Sequence, residues 1–542
     1  MNQDNTIKIA LTFSGGGYRA AAFHLGVLSY LHSVKLDNGT LLDHIHAMST
    51  ISGGTITGLR YMLGYCKGED PVDIFKSLYR FFVDVDLTSI AMGKLSKKKH
   101  EQTVSLIRTM SDIYNEKLFE GGCLGELMNN IDKNHIKHFS ANATDFVNAL
   151  PFRFQATVGK QNSNTGYGII GNSMLRLPRA IASHIRLSEI LACSSCFPSG
   201  FEPMVFPVDF DLGESKEVKD YIEKIEPFGI MDGGIVDNQG IEPIILADDR
   251  MVKNSPGDKD AGFDLVIISD VSSPYMRPYT PSSFTLPKKL SKLSLYKISI
   301  LVRVTWLIIT LLTILSFYLW SFSFISGILS AVWIIVVLLL SYYYILENKI
   351  IEIAKESIVK NNIRDIVRLK AENVATLLAN RVSSVLMLVS TVFMKHIRRM
   401  NYRSAYEKDS WKNRIIMNGI YELRPGESWA SKFIKKGIPE YLIPSQLIQD
   451  TSEKATAMGT TLWFTENDKK NGIHDALIAT GQYTICFNLL EYISSIKNNT
   501  PNTNKSHKYL LSLKERLMTD WEEFQKNPMC KMDGFREESD LS

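Results

Sequence analysis

The chain lacks the features that mark several large classes of protein. Its 542 residues carry a formal net charge of only +4, whereas nucleic-acid binding is typical of strongly basic domains. Six cysteines are scattered along it, which excludes a disulfide scaffold and favours a reducing compartment. The amino terminus has no basic region followed by an apolar stretch. We therefore expect no signal peptide and a cytoplasmic amino-terminal domain.

Charged residues are also absent from one long stretch, which runs from Val304 to Leu346. One bilayer crossing needs about 20 mainly apolar residues, so this stretch is long enough for two. We predict a transmembrane hairpin with helices at 298–320 and 324–346. Lysines and arginines flank the stretch on both sides and are missing from its turn, which predicts cytoplasmic termini and a cytoplasmic catalytic domain. A hairpin buried in a large soluble core is the alternative.

Strand and helix patterns alternate in the amino-terminal part. Residues 7–13 are typical of a buried strand, a glycine turn follows at 14–17, and apolar residues then recur at helical spacing. The same order is repeated at 46–62. This alternation predicts an α/β fold with a mainly parallel sheet. Neither turn has the G-K-[ST] of a P-loop, which disfavours nucleotide binding.

Two turns carry candidate catalytic groups. Ser52 lies in the sequence T-I-S-G-G, where a tight strand-to-helix turn exposes a serine hydroxyl. Serine in such a turn is more often a helix cap, so the presence of a base decides between the two interpretations. His184 and His474 leave a Ser-His-Asp triad open. Asp232 is the stronger candidate, because the two glycines after it leave room for a substrate beside the carboxylate.

Together these motifs resemble the patatin-like phospholipase family. The resemblance rests on the glycine turn with Arg19, the serine elbow, the D-G-G-I-V-D-N stretch that begins at Asp232, and the small-residue segment 192–201. It covers residues 7–275. Beyond the hairpin it is weaker, and residues 462–464 and the helix predicted around 474–492 look like the carboxyl-terminal helices of bacterial relatives.

The resemblance implies a three-layer fold and hydrolysis of fatty-acyl esters of lipids, as in a phospholipase A. It implies a Ser-Asp dyad without histidine, with Ser52 as nucleophile and Asp232 as general base, and with no metal or cofactor. Backbone N–H groups would bind the oxyanion, and other residues would support the site. The residues implied are Gly15, Gly16, Gly17 and Gly53 for the oxyanion hole, and Arg19, Gly54, Gly233 and Gly234 for support.

Thr50 departs from the family pattern, which has glycine at this place. A β-branched residue crowds the elbow, which leaves a narrowed acyl pocket or an inactive relative open. The alternative functions are a catalytically inactive lipid-binding membrane scaffold or sensor, and an acyltransferase or thioesterase with the same dyad. The expected partners are membrane phospholipid as substrate and the bilayer itself, and nucleic acid is not expected.

We expect four parts along the chain. Residues 1–290 form the hydrolase core, 298–346 the hairpin, 347–496 a helical part that completes the hydrolase domain, and 497–542 a linker, a last helix and a tail. Two crossings return the chain to its starting side of the membrane. The segments before and after the hairpin can therefore belong to one cytoplasmic domain.

Overall fold

The computed structural model divides the chain into two compact units. The main unit comprises Met1–Met276 and Val389–Ser542, and the inserted unit comprises Arg277–Leu388. Within them the structure describes residues 7–37, 39–96, 105–158, 169–198, 200–257, 261–276, 278–281, 292–320, 327–328, 330–338, 341, 369–426, 438–499 and 505–536.

A ten-stranded mixed sheet forms the centre of the main unit, and a two-stranded sheet, β2–β3, lies apart from it. The strands are β1 (Ile9–Phe13), β2 (Lys35–Leu36), β3 (Gly39–Thr40), β4 (Ile45–Ile51), β5 (His138–Asp145), β6 (Leu150–Thr157), β7 (Ile170–Gly171), β8 (Arg176–Leu177), β9 (Met204–Phe206), β10 (Phe228–Asp232), β11 (Leu265–Asp270) and β12 (Ile415–Gly419). Five parallel neighbours stand in the order β12-β11-β1-β4-β5. Antiparallel strands β6, β7 and β8 extend this row, and β10 pairs with both β5 and β9.

Helices connect these strands and pack on them. The α-helices are α1 (Gly17–Ser33), α2 (Gly53–Lys67), α3 (Pro71–Asp84), α4 (Leu87–Leu95), α5 (Leu106–Tyr114), α6 (Leu124–Asn130), α7 (Arg179–Ala182), α8 (Leu187–Ser195), α9 (Lys216–Ile222), α10 (Gly234–Asp237), α11 (Ile241–Asn254), α12 (Leu295–Trp320), α13 (Ala371–Met387), α14 (Met394–Tyr406), α15 (Gln446–Ala457), α16 (Glu466–Lys470), α17 (Ile473–Asn499), α18 (Lys505–Ser512), α19 (Lys514–Lys526) and α20 (Asp533–Arg536).

The sheet is covered on both faces, because its central strands are apolar on both sides. In β1, Ile9 and Leu11 lie in one core, whereas Ala10 lies in a second core. The first core includes α1 and α17, which pack along each other, and the second includes α11. Runs of buried residues on both faces are typical of parallel strands between two helical layers. The predicted α/β class with a mainly parallel central sheet is confirmed.

Chain segments from before and after the inserted unit build the same sheet. Strand β12 pairs in parallel with β11, with Val266 opposite Ile415. Helix α17, which follows β12 in the chain, packs on α1. The main unit is therefore assembled from two stretches of chain that the inserted unit separates.

Two segments of the inserted unit, one before α12 and one before α13, lie side by side. Ser294, just before α12, forms an isolated antiparallel bridge with Lys370, just before α13. Residues 330–338 are helical, and the indole N–H of Trp333 donates a 2.9 Å hydrogen bond to Thr310 of α12. This contact joins the two halves of the predicted hairpin. Part of the second predicted helix, 324–346, lies outside the described residues.

Two described helices are long and apolar enough to cross a membrane. One is Tyr296–Leu315, which overlaps the predicted span 298–320, and the other is Glu372–Tyr406, for which we predicted helices but no span. The second ends in α14, which packs on α10 and α11 of the main unit. That packing argues against a crossing along its whole length, and the membrane hairpin itself stays a prediction.

Candidate active site

Ser52 occupies a strained turn between a strand and a helix. Strand β4 ends at Ile51, and α2 begins at Gly53. Between them, Ser52 has φ 48° and ψ −119°, a backbone conformation that is costly for a residue with a side chain. Ser52 is half-buried. The predicted elbow therefore exists, and it holds the serine where its hydroxyl is within reach of solvent.

A network of buried hydroxyl groups holds this turn in place. The backbone N–H of Ser52 donates a 2.9 Å hydrogen bond to Oγ of Ser194 in α8. Ser194 in turn donates to the carbonyl of Asn142 at 2.7 Å and lies 2.9 Å from the hydroxyl of Thr55. Ser194 is therefore a neighbour of the elbow that sequence reasoning missed. Its only signal was its place in the small-residue segment 192–201.

Asp232 ends strand β10 beside the elbow and is 2% exposed. The Ser52 side chain is a polar neighbour of its carboxylate, and the Gly234 N–H donates to Oδ1 at 2.6 Å. Burial raises the pKa of Asp232 to about 7, although the Gly234 N–H and the Ser52 side chain act to lower it. A carboxylate with a pKa near neutrality is well suited to accept a proton from a hydroxyl group at physiological pH.

The backbone of Asp232 is anchored on both sides. Its N–H donates to the carbonyl of Cys196 at 3.3 Å, and its carbonyl accepts a 2.8 Å hydrogen bond from the hydroxyl of Thr144. Cys196 and its neighbour Cys193 are buried free thiols. These contacts fix the direction in which the carboxylate points.

The glycine turn lies directly against the serine elbow. A Cβ atom on Gly15 would come within 3.1 Å of Cβ of Ser52, and one on Gly53 would lie 2.1 Å from the carbonyl oxygen of Gly17. Gly17 and Gly53 are the first residues of α1 and α2, and the first N–H groups of a helix have no acceptor within it. Two helix N-termini therefore meet beside Ser52, an arrangement that favours negative charge.

One amide of the glycine turn is already used within the fold. The N–H of Gly15 donates to the carbonyl of Asn238 at 3.1 Å. Asn238 follows α10, and its amide side chain donates to Ser272 at 3.0 Å. The D-G-G-I-V-D-N stretch therefore also braces the glycine turn. Within the described part of the chain, the amides of Gly16 and Gly17 have no acceptor and are left for another one.

Arg19 is buried, and its guanidinium group is hydrogen-bonded within the fold. It is 7% exposed, and its guanidinium donates to the carbonyls of Met458 at 3.0 Å and Val271 at 3.1 Å. Two peptide carbonyls are neutral acceptors, so the charged group is held by hydrogen bonds that tie α1 to two distant segments. This placement fits support of the glycine turn.

His24 also contacts the glycine turn. It was not identified from the sequence as a candidate site residue. Its ring stacks on Phe13 at 4.4 Å between centroids, and Nε2 lies 3.2 Å from the carbonyl of Ser14. Burial lowers the pKa of His24 to about 3, so the imidazole is neutral at physiological pH. The sequence signal was only a polar residue on the buried face of a predicted helix.

The remaining predicted residues are placed as follows. Gly54 is the second residue of α2, Gly233 follows β10, and Gly234 begins α10. His474 lies 3.3 Å from Asp475 and edge-on to Phe464, and His184 lies in the turn between α7 and α8. Among the described residues, the Ser52 side chain acts on the Asp232 carboxylate and neither histidine does, which favours the dyad over the triad.

Residues 11–245 match the family model described as patatin-like phospholipase. The matched range contains the glycine turn from Gly15, the elbow at Ser52, and Asp232, and it ends before the inserted unit. No curated protein matches the chain. Within the described ranges, no group of three or more His, Cys, Asp or Glu residues is placed to hold a metal ion.

Proposed function

We propose, on the premise that the chain belongs through residues 11–245 to the patatin-like phospholipase family, that it cleaves fatty-acyl esters of phospholipids with Ser52 and Asp232. The family supports a lipid acyl hydrolase. One observation carries the finer assignment: a serine on a strained turn has its side chain against a buried carboxylate whose pKa is about 7. Such a pair can transfer a proton directly, without a histidine.

The proposed reaction proceeds in two halves. Oγ of Ser52 attacks the ester carbonyl carbon while Asp232 takes its proton. The resulting oxyanion collapses, the C–O bond breaks, and the lysolipid alcohol leaves with the proton from Asp232. Water then attacks the acyl-serine, with Asp232 again as the base, and the fatty acid and Ser52 hydroxyl are regenerated. Each half thus returns the dyad to its starting protonation state.

The amides of Gly16, Gly17 and Gly53 are the proposed oxyanion donors. They lie at the two helix N-termini that meet beside Ser52. One donor of this kind is typically worth about 2.7–4 kcal/mol of transition-state stabilisation. The fourth implied donor, Gly15, binds Asn238 instead, so we assign it to holding the glycine turn.

We further propose that the inserted unit anchors the enzyme to its substrate membrane. Helix α12 carries no charged residue from Val304 to its end at Trp320, the Trp333–Thr310 contact joins the two halves of the hairpin, and basic residues flank the charge-free stretch. Both termini and the catalytic domain would then be cytoplasmic. Anchoring raises the local concentration of a substrate that is nearly insoluble in water.

We also propose domain boundaries for the chain that agree with a membrane hairpin inserted into the hydrolase domain. Residues 1–290 and 347–496 would make one hydrolase domain around the hairpin, and 497–542 a terminal extension. The pairing of β12 with β11 and the packing of α17 on α1 support a single domain from both stretches.

The test uses the full chain in detergent and mixed phospholipid vesicles. Wild type, Ser52→Ala and Asp232→Asn are compared, with released fatty acids identified by mass and folding checked by thermal unfolding. We expect both variants to lose about 10³-fold or more in rate, whereas Ser33→Ala, at the end of α1, keeps the wild-type rate. Equal release by wild type and Ser52→Ala would overturn the mechanism. Activity that transfers acyl groups to an added alcohol faster than to water would reassign the enzyme as an acyltransferase.

A further inference from the structure

Helix α14 turns one face towards the main unit, close to the proposed catalytic pair. The side chains on this face are half-buried, and they recur at the spacing of a single helix face. They lie outside the range 11–245 that matches the family model. The face consists of Met394, Arg398, Asn401 and Tyr402.

Asn401 holds helix α10, which follows Asp232 in the chain. Its side-chain amide donates to the carbonyl of Val236 at 3.1 Å and to Oδ1 of Asp237 at 3.2 Å. Asp237 is 4% exposed, and its carboxylate also accepts three backbone N–H groups of the following turn, at 2.9–3.2 Å. Asn401 therefore binds both the backbone and a buried side chain at the end of α10.

Helix α10 contacts both parts of the proposed active site. At its start, the N–H of Gly234 donates to Oδ1 of Asp232 at 2.6 Å. Just after its end, the carbonyl of Asn238 accepts the N–H of Gly15 at 3.1 Å. A helix of one turn is marginal by itself, so the position of α10 depends on what its neighbours hold. A shift of α10 would move the general base and the glycine turn together.

Helix α14 is itself fixed to the end of strand β11. Arg398 Nε donates to Oδ2 of Asp270 at 2.8 Å, and the hydroxyl of Tyr402 donates to the same oxygen at 2.7 Å. Burial acts to raise the pKa of Asp270, but the Arg398 guanidinium keeps it below its usual value. The pair therefore stays charged at physiological pH. Asn401 lies between these two anchoring residues in the chain, so it reaches α10 from a firmly held helix.

We propose that Asn401 is a positioning residue of the active site, which places Asp232 and the glycine turn through α10. The inference rests on the proposed hydrolase and deepens it, because the site then depends on a residue that follows the inserted unit in the chain. The Asn401 amide moves no proton in the reaction. Its part is to hold α10, and α10 holds the groups that react.

Hydrogen exchange of the full chain in uncharged detergent, followed by mass spectrometry, tests the contact. Asn401→Ala removes both donors, so we expect faster exchange in peptides that cover 233–240 and unchanged exchange in α19. Asn401→Leu keeps nearly the same shape and should behave alike. Ser404→Ala is the matched control on the exposed side of α14, where the hydroxyl donates to the carbonyl of Met400 within the helix. Wild-type exchange of 233–240 in both Asn401 variants would overturn the proposal.

Initial rates on a soluble short-chain ester test the consequence for catalysis. We expect both Asn401 variants to lower kcat about 10- to 100-fold with KM nearly unchanged, because a misplaced base affects the transition state more than substrate binding. Ser404→Ala should keep the wild-type kcat. A wild-type kcat in the Asn401 variants, or a change in KM alone, would also overturn the proposal.

Ser52→Ala, measured alongside, separates this proposal from the proposed function. A wild-type rate in Ser52→Ala would reject the hydrolase mechanism. Exchange of 233–240 needs no catalysis, so it would still decide whether Asn401 holds α10.

Discussion

A Cβ atom on Gly58 would lie 2.4 Å from the Cγ2 methyl of Thr50. Thr50 stands where the family has glycine, which put the geometry of the elbow in question. In this structure the glycine that makes room for the elbow is on the facing helix α2, at Gly58. Thr50 also accepts a 3.2 Å hydrogen bond from Thr55 and donates to the carbonyl of Ser140 at 3.4 Å. The branched side chain is thus accommodated by a glycine eight residues later in α2.

Gly58→Ala should therefore destabilise the protein. Alanine normally stabilises a helix interior by about 0.5–1 kcal/mol relative to glycine, but overpacking against Thr50 should cost about 1–3 kcal/mol. We expect a net loss in denaturant unfolding of the full chain, with lower activity because the elbow shifts. The double variant Thr50→Ala, Gly58→Ala removes the clashing methyl and should recover both.

Gly93→Ala is the matched control for this substitution. Gly93 lies in α4, and a Cβ there meets no described residue within 4 Å. That variant should be as stable as wild type or slightly more so. If Gly58→Ala behaved in the same way, the proposed compensation between Gly58 and Thr50 would be wrong.

Ser194→Ala should lower kcat and leave KM nearly unchanged. The substitution leaves the Ser52 N–H without its 2.9 Å acceptor, and a buried donor left unsatisfied costs about 1–3 kcal/mol. Release of the strained turn misplaces the nucleophile, so we expect kcat to fall about 10- to 100-fold. Initial rates over a range of soluble short-chain ester concentrations separate kcat from KM.

Ser195→Ala provides the control on the same helix. Ser195 is also buried, but its hydroxyl donates to the carbonyl of Leu191 within α8, at 2.7 Å. A similar loss of kcat in both variants would mean that α8 is merely destabilised. Recovery by Ser194→Thr, which keeps the hydroxyl, would support the positioning role.

The pH dependence of the reaction should report the titration of Asp232. Burial raises the pKa of this carboxyl to about 7, and only the ionised form can accept a proton. We expect kcat/KM on an uncharged soluble ester to rise through about pH 7, and to fall about tenfold per pH unit well below it. A profile that is flat between pH 5 and 9 would contradict Asp232 as the base.

Asp232→Asn should make the fold more stable in alkaline solution. Because the folded pKa is above the unfolded value, Asp232 costs no stability at low pH, and stability is lost as pH rises from about 4 towards 7. Asparagine is uncharged at every pH, so the variant does not lose this stability as the pH rises. We expect a higher Tm than wild type at pH 8 and a difference that shrinks towards pH 4. A variant less stable than wild type at pH 8 would refute the raised pKa.

Most of the inserted unit, residues 295–369, should be removable without loss of the main unit. Ser294 and Lys370 form a backbone bridge, so a short Gly-Ser link can join these two residues. The shortened chain should fold, hydrolyse soluble short-chain esters and no longer sediment with phospholipid vesicles. The full chain carrying Ser52→Ala is the control, since it should sediment without hydrolysis. Unchanged sedimentation of the shortened chain would rule out the hairpin as the anchor.

Local sequence patterns were sufficient to predict the serine elbow and the α/β fold class. β4, Ser52 and α2 are consecutive, so apolar residues and glycines indicated the elbow directly, and the α/β class followed from the same alternation. Ser194 could not be found in this way, because its bond to Ser52 spans 142 residues and depends on how α8 packs. The same holds for Asn238 against the glycine turn.

The second long apolar helix escaped prediction for a different reason. Arg381 and several polar residues interrupt its sequence, so no charge-free run marks Glu372–Tyr406. The apolar side chains left exposed along it, such as Val382 and Leu386, become apparent only when their packing is known.

The contact between Tyr18 and Thr461 bears on the order in which the protein is made. The N–H of Tyr18, at the start of α1, donates to the carbonyl of Thr461 at 2.9 Å. A ribosome synthesises the glycine turn first, the apolar hairpin next and Thr461 last. A nascent chain therefore carries Ser52 and Asp232 well before their surroundings are complete. The hydrolase reaches its finished form only after the segment proposed to enter the membrane has been made.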